Sequence, residues 1–479
     1  MALSKNAKLA ILAVIPLITF LLPAPEGLSL IAWRLLGVYI ATIVGLVIKP
    51  YGEPVILLAA IAVSGIIIGN TEGAKELVKV GNMLDGYKSG TTWLIFTAFT
   101  LSSAFVITGL GKRIAYHMIG AMGSTTLRLG YVTMFLDLLL SPATPSNTAR
   151  SGGIIFPIIN SVAVALGSDP EKSPKKAGRY LMMNVYMVVK TTSYIFLTAM
   201  APNALALSLM APILGFETTW IKWFLAASVP GLICLFLIPL ICYWVSPPEL
   251  KEVDNKAIAK KGLEELGPMS FREKALSVLF VIALFGWIFS DTLHVNATIV
   301  AIIVMVLCIM LSIVTWDDIL KSKGAWNTLV WYGGIIGMSG LLEKAGFFKW
   351  LANTLSTTLQ FEGHGMMALI VILTLSVAVR YLFASGGAYV AAMVPVFATV
   401  GHVAGAPAEL LALGLVFANA YGGSVTHYGG GPGPIAFGAG YNDIKSWWIA
   451  GAIIAFGSLI IHLTIGMAWW ELLISLGWL

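Results

Sequence analysis

Ser146, Asn147 and Thr148 are three short hydroxyl and amide side chains within Ser141-Pro-Ala-Thr-Pro-Ser-Asn-Thr-Ala-Arg150. Side chains of this kind, together with free backbone N–H groups, can hydrogen-bond a carboxylate. A second polar break, Arg380-Tyr-Leu-Phe-Ala-Ser-Gly-Gly-Ala-Tyr389, offers one hydroxyl at Ser385 and bare backbone at Gly386 and Gly387, which an anion can approach closely. In a soluble loop both segments would read as ordinary turns, since Ser, Asn and Thr after Pro are common turn residues. Their surroundings favour a binding role. The apolar runs flanking the first break, Tyr131 to Leu140 and Ile154 to Ala165, are too short to cross a bilayer, which takes roughly 20 apolar residues. Each break therefore reads as the tip of a re-entrant helical hairpin, over 129–165 and 363–402. Broken backbone at membrane depth is tolerated only where it lines a cavity.

Three cations, Arg150, Lys190 and Arg380, fall at the same depth. A charge there is costly and by default marks a functional site. Asp137 is the nearest acid for a buried ion pair, and one carboxylate cannot neutralise three cations. The remaining positive charge fits a substrate bearing two carboxylates. Two further spans are interrupted by polar and helix-breaking residues, at Lys190 to Asn203 and at Ala420 to Pro434. His427, in the second of these, adds a donor. The spacing of Gly429, Gly431 and Gly433 carries no nucleotide-binding meaning without a βαβ context.

These segments need a membrane-embedded frame, and the composition supplies one. Of 479 residues, 58% are hydrophobic and 11% charged, which fits an all-α polytopic membrane protein and excludes a soluble multidomain chain. Lys5 and Lys8 precede Leu9 to Leu22, which reads as a first transmembrane helix because many more spans come after it. Cys234, Cys242 and Cys308 lie in apolar runs without metal-ligand spacing. No metal, cofactor or catalytic constellation is expected, and nucleic acid is an unfitting partner.

Spans near 9–23, 29–48, 54–70, 91–111, 180–210, 221–246, 274–291, 296–314, 326–358, 408–440 and 447–475 make about 11 transmembrane helices, with the two hairpins between them. With the N-terminus cytoplasmic, 19 of the 29 Lys and Arg residues fall at cytoplasmic ends and seven outside, as the positive-inside rule requires. Residues 1–27 form an N-terminal helix, 28–246 a first repeat, 247–273 a cytoplasmic linker rich in Lys and Glu, and 274–479 a second repeat. Each repeat runs two spans, a connector, a span, a hairpin, an interrupted span and a last span. An odd number of crossings inserts the second copy upside down, as in many secondary transporters.

The stretches Ser141 to Arg150, Tyr381-Leu-Phe-Ala-Ser385, Thr426-His-Tyr-Gly429 and Gly431-Pro-Gly-Pro-Ile435 resemble the divalent anion/sodium symporter family. The likeness is nearest its exchanger branch of plastid 2-oxoglutarate/malate translocators and bacterial citrate/succinate and tartrate/succinate antiporters. It implies two opposed hairpins, an elevator-type mechanism and a homodimer in lipid. It further implies substrate contacts at Ser146, Asn147, Thr148, Ser385, Gly386, Gly387, Thr426 and His427. Gly386 stands where sodium-driven relatives carry an asparagine, so fixed cations at Arg150, Lys190 and Arg380 are expected to do the work of bound sodium.

The function expected on these grounds is sodium-independent exchange of C4 and C5 dicarboxylates such as 2-oxoglutarate, malate, succinate and fumarate. A bacterial inner membrane is a better setting than a plastid envelope. The alternatives are a Na+-coupled dicarboxylate or tricarboxylate symporter of the same fold, an integral-membrane enzyme acting on an anion, and an anion channel.

Overall fold

Apolar stretches of membrane length dominate the sequence, and the computed structural model folds them into helices throughout. It describes residues 4–358 and 364–479, so the expected hairpin start at 363 lies outside the described residues. The first half contains α1 (Lys5–Leu21), α2 (Leu30–Ile48), α3 (Glu53–Asn70), α4 (Gly90–Thr108), α5 (Leu110–Met122) and α6 (Thr126–Leu140). It continues through α7 (Asn147–Ala165), α8 (Gly178–Ile195), α9 (Ala201–Leu214) and α10 (Trp220–Val245). The second half contains α11 (Asn255–Leu266), α12 (Phe271–Ile288), α13 (Ala297–Met310), α14 (Lys323–Lys344) and α15 (Phe347–Thr358). It ends with α16 (Gly365–Val379), α17 (Gly386–Val403), α18 (Ala408–Gly422), α19 (Pro432–Gly438) and α20 (Ile444–Ser475).

Among the described residues, eight helical stretches are long and apolar enough to cross a membrane. Large apolar side chains stand outward on them and at their ends, with Trp244 75% and Ile66 65% exposed. Water would not tolerate so extended an apolar surface; lipid does.

Two expected spans need correction. The stretch 91–111 ends at Gly109, and 326–358 divides at Gly346, where the backbone takes φ values of 77° and 85°. Glycine enters this left-handed region without a Cβ clash and so ends a helix sharply. Beyond each glycine, α5 and α15 run as separate helices with apolar residues on one side. The two halves match here, each placing a positive-φ glycine between a long helix and a short one.

The linker is also more ordered than its composition suggests. Asp254 caps α11 by accepting from Ala257 N at 3.1 Å, and Asn255 Nδ2 donates to the Ile119 and Gly120 carbonyls at the end of α5. Arg113 on α5 donates to Glu273 at 2.6 Å and to the Gly267 carbonyl at 3.0 Å. The linker thus fastens to the frame that holds the first hairpin. Outside the long helices, Asp85 bonds Lys344 at 2.8 Å and Lys88 at 2.9 Å. Lys344 first, then Lys88 and Asn82, hold its carboxyl well below the usual carboxylate range. That link ties the connector after α3 to the end of α14.

Candidate functional site

Pro142 and Pro145 interrupt the chain after α6, leaving a 3-10 turn at Ser141–Ala143 and an extended Ser146. The Ser146 hydroxyl accepts from Ala149 N at 3.1 Å and so caps α7. Side-chain oxygens are favoured at such caps because the first helical N–H groups lack intrahelical partners. Arg150, one turn further on, is wholly buried. Its Nε donates to Asp137 Oδ1 at 2.9 Å, and Nη1 donates to the Thr144 and Ala199 carbonyls at 2.7 and 2.9 Å. Thr192 donates to the other Asp137 oxygen. The expectation that Arg150 offers free charge to a substrate is therefore corrected. Its charge is met by Asp137, and it fastens the hairpin to the break between α8 and α9.

The second tip is built differently. Arg380 lies in a 3-10 turn after α16, almost fully buried. Its Nε donates to the Asn419 carbonyl at 3.1 Å and to Asn419 Oδ1 at 3.2 Å; Nη2 donates to the Gly429 carbonyl at 2.7 Å. Lys190 Nζ donates to that same Gly429 oxygen at 2.9 Å. Two cations from opposite halves converge on one carbonyl. Among the described residues neither has a carboxylate partner. The Tyr186 hydroxyl lies 2.7 Å from the Gly423 oxygen and 2.9 Å from that of Thr426, which pins the 423–431 loop in place for both. Ser385 repeats the role of Ser146, its hydroxyl accepting from Ala388 N at 3.3 Å to cap α17.

Both tips line one cavity of about 300 Å3. Ser146, Asn147 and Thr148 face it from the first hairpin and Ser385, Gly386 and Gly387 from the second, with Lys190, Arg380, Gly430 and Gly431 between. The first residues of three helices reach its wall: Asn147 and Thr148 of α7, Ala201 and Pro202 of α9, and Gly386 and Gly387 of α17. Helix N-termini carry partial positive charge and unpaired N–H donors, so the cavity is suited to anions. Glycine at the second tip admits a close neighbour, because a Cβ on Gly387 would lie 2.5 Å from the Trp331 ring.

Thr426 and His427 are not on this wall. Trp448 Nε1 donates to His427 Nδ1 at 3.2 Å, and the imidazole packs 4.6 Å from the Phe437 ring. The loop turns that side chain into an aromatic cluster; its contribution to the cavity is the backbone of Gly430 and Gly431. Conversely, Asn419, Trp331 and Thr328 do line the site and were not expected there. Asn419 Nδ2 is buried without a partner. Its only signal in the sequence is an amide ahead of the glycine-rich break, which an apolar run hides.

A larger cavity of about 680 Å3, lined by Thr91, Ser208, Glu217, Asp291, His294 and Thr298, lies near the first turns of α4 and α13 and holds no cationic side chain from Lys or Arg. Between the two is a void of about 10 Å3. It shares Leu94, Leu197 and Ala204 with the larger cavity, and Pro145, Met200 and Ala201 with the smaller.

The family described as "Sodium:sulfate symporter transmembrane region" matches residues 3–476. The chain belongs to this divalent anion/sodium symporter family. Among its members, the inner membrane protein YbhI of Escherichia coli is 60% identical over 472 residues, covering 98% of each chain. The citrate/succinate antiporter of E. coli is 36% identical over 470 residues, covering 94% of this chain and 95% of its own. Chloroplastic dicarboxylate transporter 1 of Spinacia oleracea is 36% identical over 460 residues, covering 95% of this chain and 79% of its own. Among solved structures, the Alcanivorax borkumensis YdaH transporter has a TM-score of 0.56 at 13% identity, covering 87% of this chain and 97% of that one. This likeness concerns the fold. Family membership assigns the molecule to membrane transport rather than to catalysis.

Proposed function

We propose that the protein is a sodium-independent antiporter of C4 and C5 dicarboxylates in a bacterial inner membrane. The observation that carries this reading is the pair Lys190 and Arg380, two buried cations on one carbonyl with no acid paired to them among the described residues. A buried cation without a counter-charge is costly, and a dicarboxylate in the adjoining cavity would supply two negative charges. A cavity near 300 Å3 sits at the small end of ligand sites, which run from about 300 to 1,000 Å3. Fixed charge distinguishes this arrangement from one compensated by bound sodium. The site would be costly to carry across the membrane empty and would cross readily when loaded, which is the physical basis of obligatory exchange. The names of the citrate/succinate antiporter and the chloroplastic dicarboxylate transporter support this class of substrate.

In this reading, residues 28–246 and 274–479 act as opposed repeats. The hairpins and broken helices move as one body against the remaining helices, in a homodimer whose N-termini are cytoplasmic. Ser146, Asn147, Thr148, Ser385, Gly386 and Gly387 contact the substrate. The test is exchange in proteoliposomes. Labelled succinate should enter at full rate in choline buffer when the lumen holds unlabelled dicarboxylate, and slowly when it holds none. Uptake that collapses without sodium, or accumulation by empty vesicles down a sodium gradient, would replace this reading with a Na+-coupled symporter.

A further inference from the structure

Lys49 lies on the wall of the 300 Å3 cavity although it belongs to neither hairpin nor broken helix. It ends α2 with φ 46° and ψ 65°, a left-handed conformation that glycine adopts freely and lysine only with strain. Its side chain is 48% exposed, whereas Lys190 and Arg380 are buried, so it marks the rim of the cavity rather than its floor. Among the described residues the ammonium group pairs with Glu53 Oε1, at 2.8 Å. Around the same turn, Lys8 Nζ donates to the Ile48 carbonyl at 2.6 Å and the Lys5 ammonium sits 4.1 Å from the centre of the Tyr51 ring. Three lysines thus gather at the turn after α2, and of these Lys49 is the one on the cavity wall.

We propose that Lys49 is the entry residue for the substrate, receiving one carboxylate of an incoming dianion before Lys190 and Arg380 take it at the cavity floor. The proposal rests on the dicarboxylate reading given above. The Lys49–Glu53 pair is partly exposed, and such pairs contribute little, so a substrate carboxylate can displace Glu53 at small cost. A charge at a rim acts chiefly on capture and its salt dependence, and much less on what is held at the floor. Lys49 also lies outside the elements expected to move. It can therefore serve only one membrane face, the one to which the cavity opens past it.

The experiment is counterflow of labelled succinate in proteoliposomes of defined orientation, with KM measured separately from each face. In Lys49→Gln the KM on the Lys49 face should rise about fivefold and its dependence on ionic strength should flatten. The maximal rate and the KM on the opposite face should be unaltered. Lys49→Gly removes the charge and the backbone strain together, so it should show the same KM rise with undiminished thermal stability. Glu53→Gln, which frees Lys49, should lower the KM on that face by about half. An unchanged KM on the Lys49 face in both Lys49 variants, or equal changes on the two faces, overturns the proposal. Absence of dicarboxylate counterflow in the unmodified protein would instead remove the functional reading, and this proposal with it.

Discussion

Each hairpin carries an arginine beside its tip, and the two do opposite things. Arg150 is locked to Asp137, Thr192 and two carbonyls, so the first hairpin is electrically closed on itself. Arg380 bonds Asn419, Phe383 and Gly429, all through neutral oxygens, so the second hairpin keeps its charge. One arginine builds the tip and the other charges the site. A cation at membrane depth thus acquires its role from the acid it does or does not meet.

Removing that acid is the strongest way to break the contrast. Asp137→Asn leaves Arg150 buried and uncompensated, which should cost about 3 to 5 kcal/mol, lower the melting temperature sharply and reduce the folded yield. Replacing both partners, with Asp137→Leu and Arg150→Met, should recover most of that stability. A melting temperature unmoved by Asp137→Asn would mean that the pair does not brace the hairpin.

The complementary change lies on the other side. Arg380→Gln and Lys190→Gln should each weaken dicarboxylate binding at least tenfold, since a hydrogen bond to a charged group is worth about 1.5 to 3 kcal/mol. Because both cations meet at the Gly429 oxygen, the double variant should lose less than the product of the two singles. Binding is read from dicarboxylate-induced thermal stabilisation. Strict additivity would show that the two act as separate sites.

The tip side chains sharpen the comparison further. Asn147→Ala and Thr148→Ala remove donors from the cavity wall and should lower affinity about tenfold with folding preserved. Ser385→Ala removes a hydroxyl already used to cap α17, so its main effect should be a loss of about 1 kcal/mol of stability. The smallest effect is expected at Gly387→Ala, where the added methyl meets the Trp331 ring. Binding should fall severalfold and should recover in part when Trp331 is also shortened to Leu.

The two tips were legible in the sequence because proline, glycine and hydroxyl residues break the apolar pattern between runs too short to cross a membrane. The convergence of Ser146 and Ser385 on one cavity stems from the same pattern. Arg150 and Arg380 read alike because pairing is a matter of space: Asp137 lies 13 positions from Arg150, and no acid comes near Arg380 from any part of the described chain. His427 misled because a broken helix exposes backbone and side chain in different directions, and here the cavity is met by the backbone of Gly430 and Gly431 a few positions on. Asn419 and Trp331 were hidden inside helices, where rotation about the axis decides which residue reaches the site. The division of 326–358 at Gly346 was missed for a similar reason, since a single glycine in an apolar run does not reveal the sign of its φ angle.

The small void between the two cavities bears on the economy of the whole cell. At about 10 Å3 it has room for at most a single water molecule, and its walls are Leu94, Ile95, Ala98, Leu197, Met200 and other residues without charge. A membrane that stores energy as a proton gradient is short-circuited by any unbroken file of water, because protons hop along such a file without a carrier. An apolar constriction breaks the file by dewetting. The two cavities that adjoin across this apolar constriction can therefore both carry polar groups without joining into one continuous file of water.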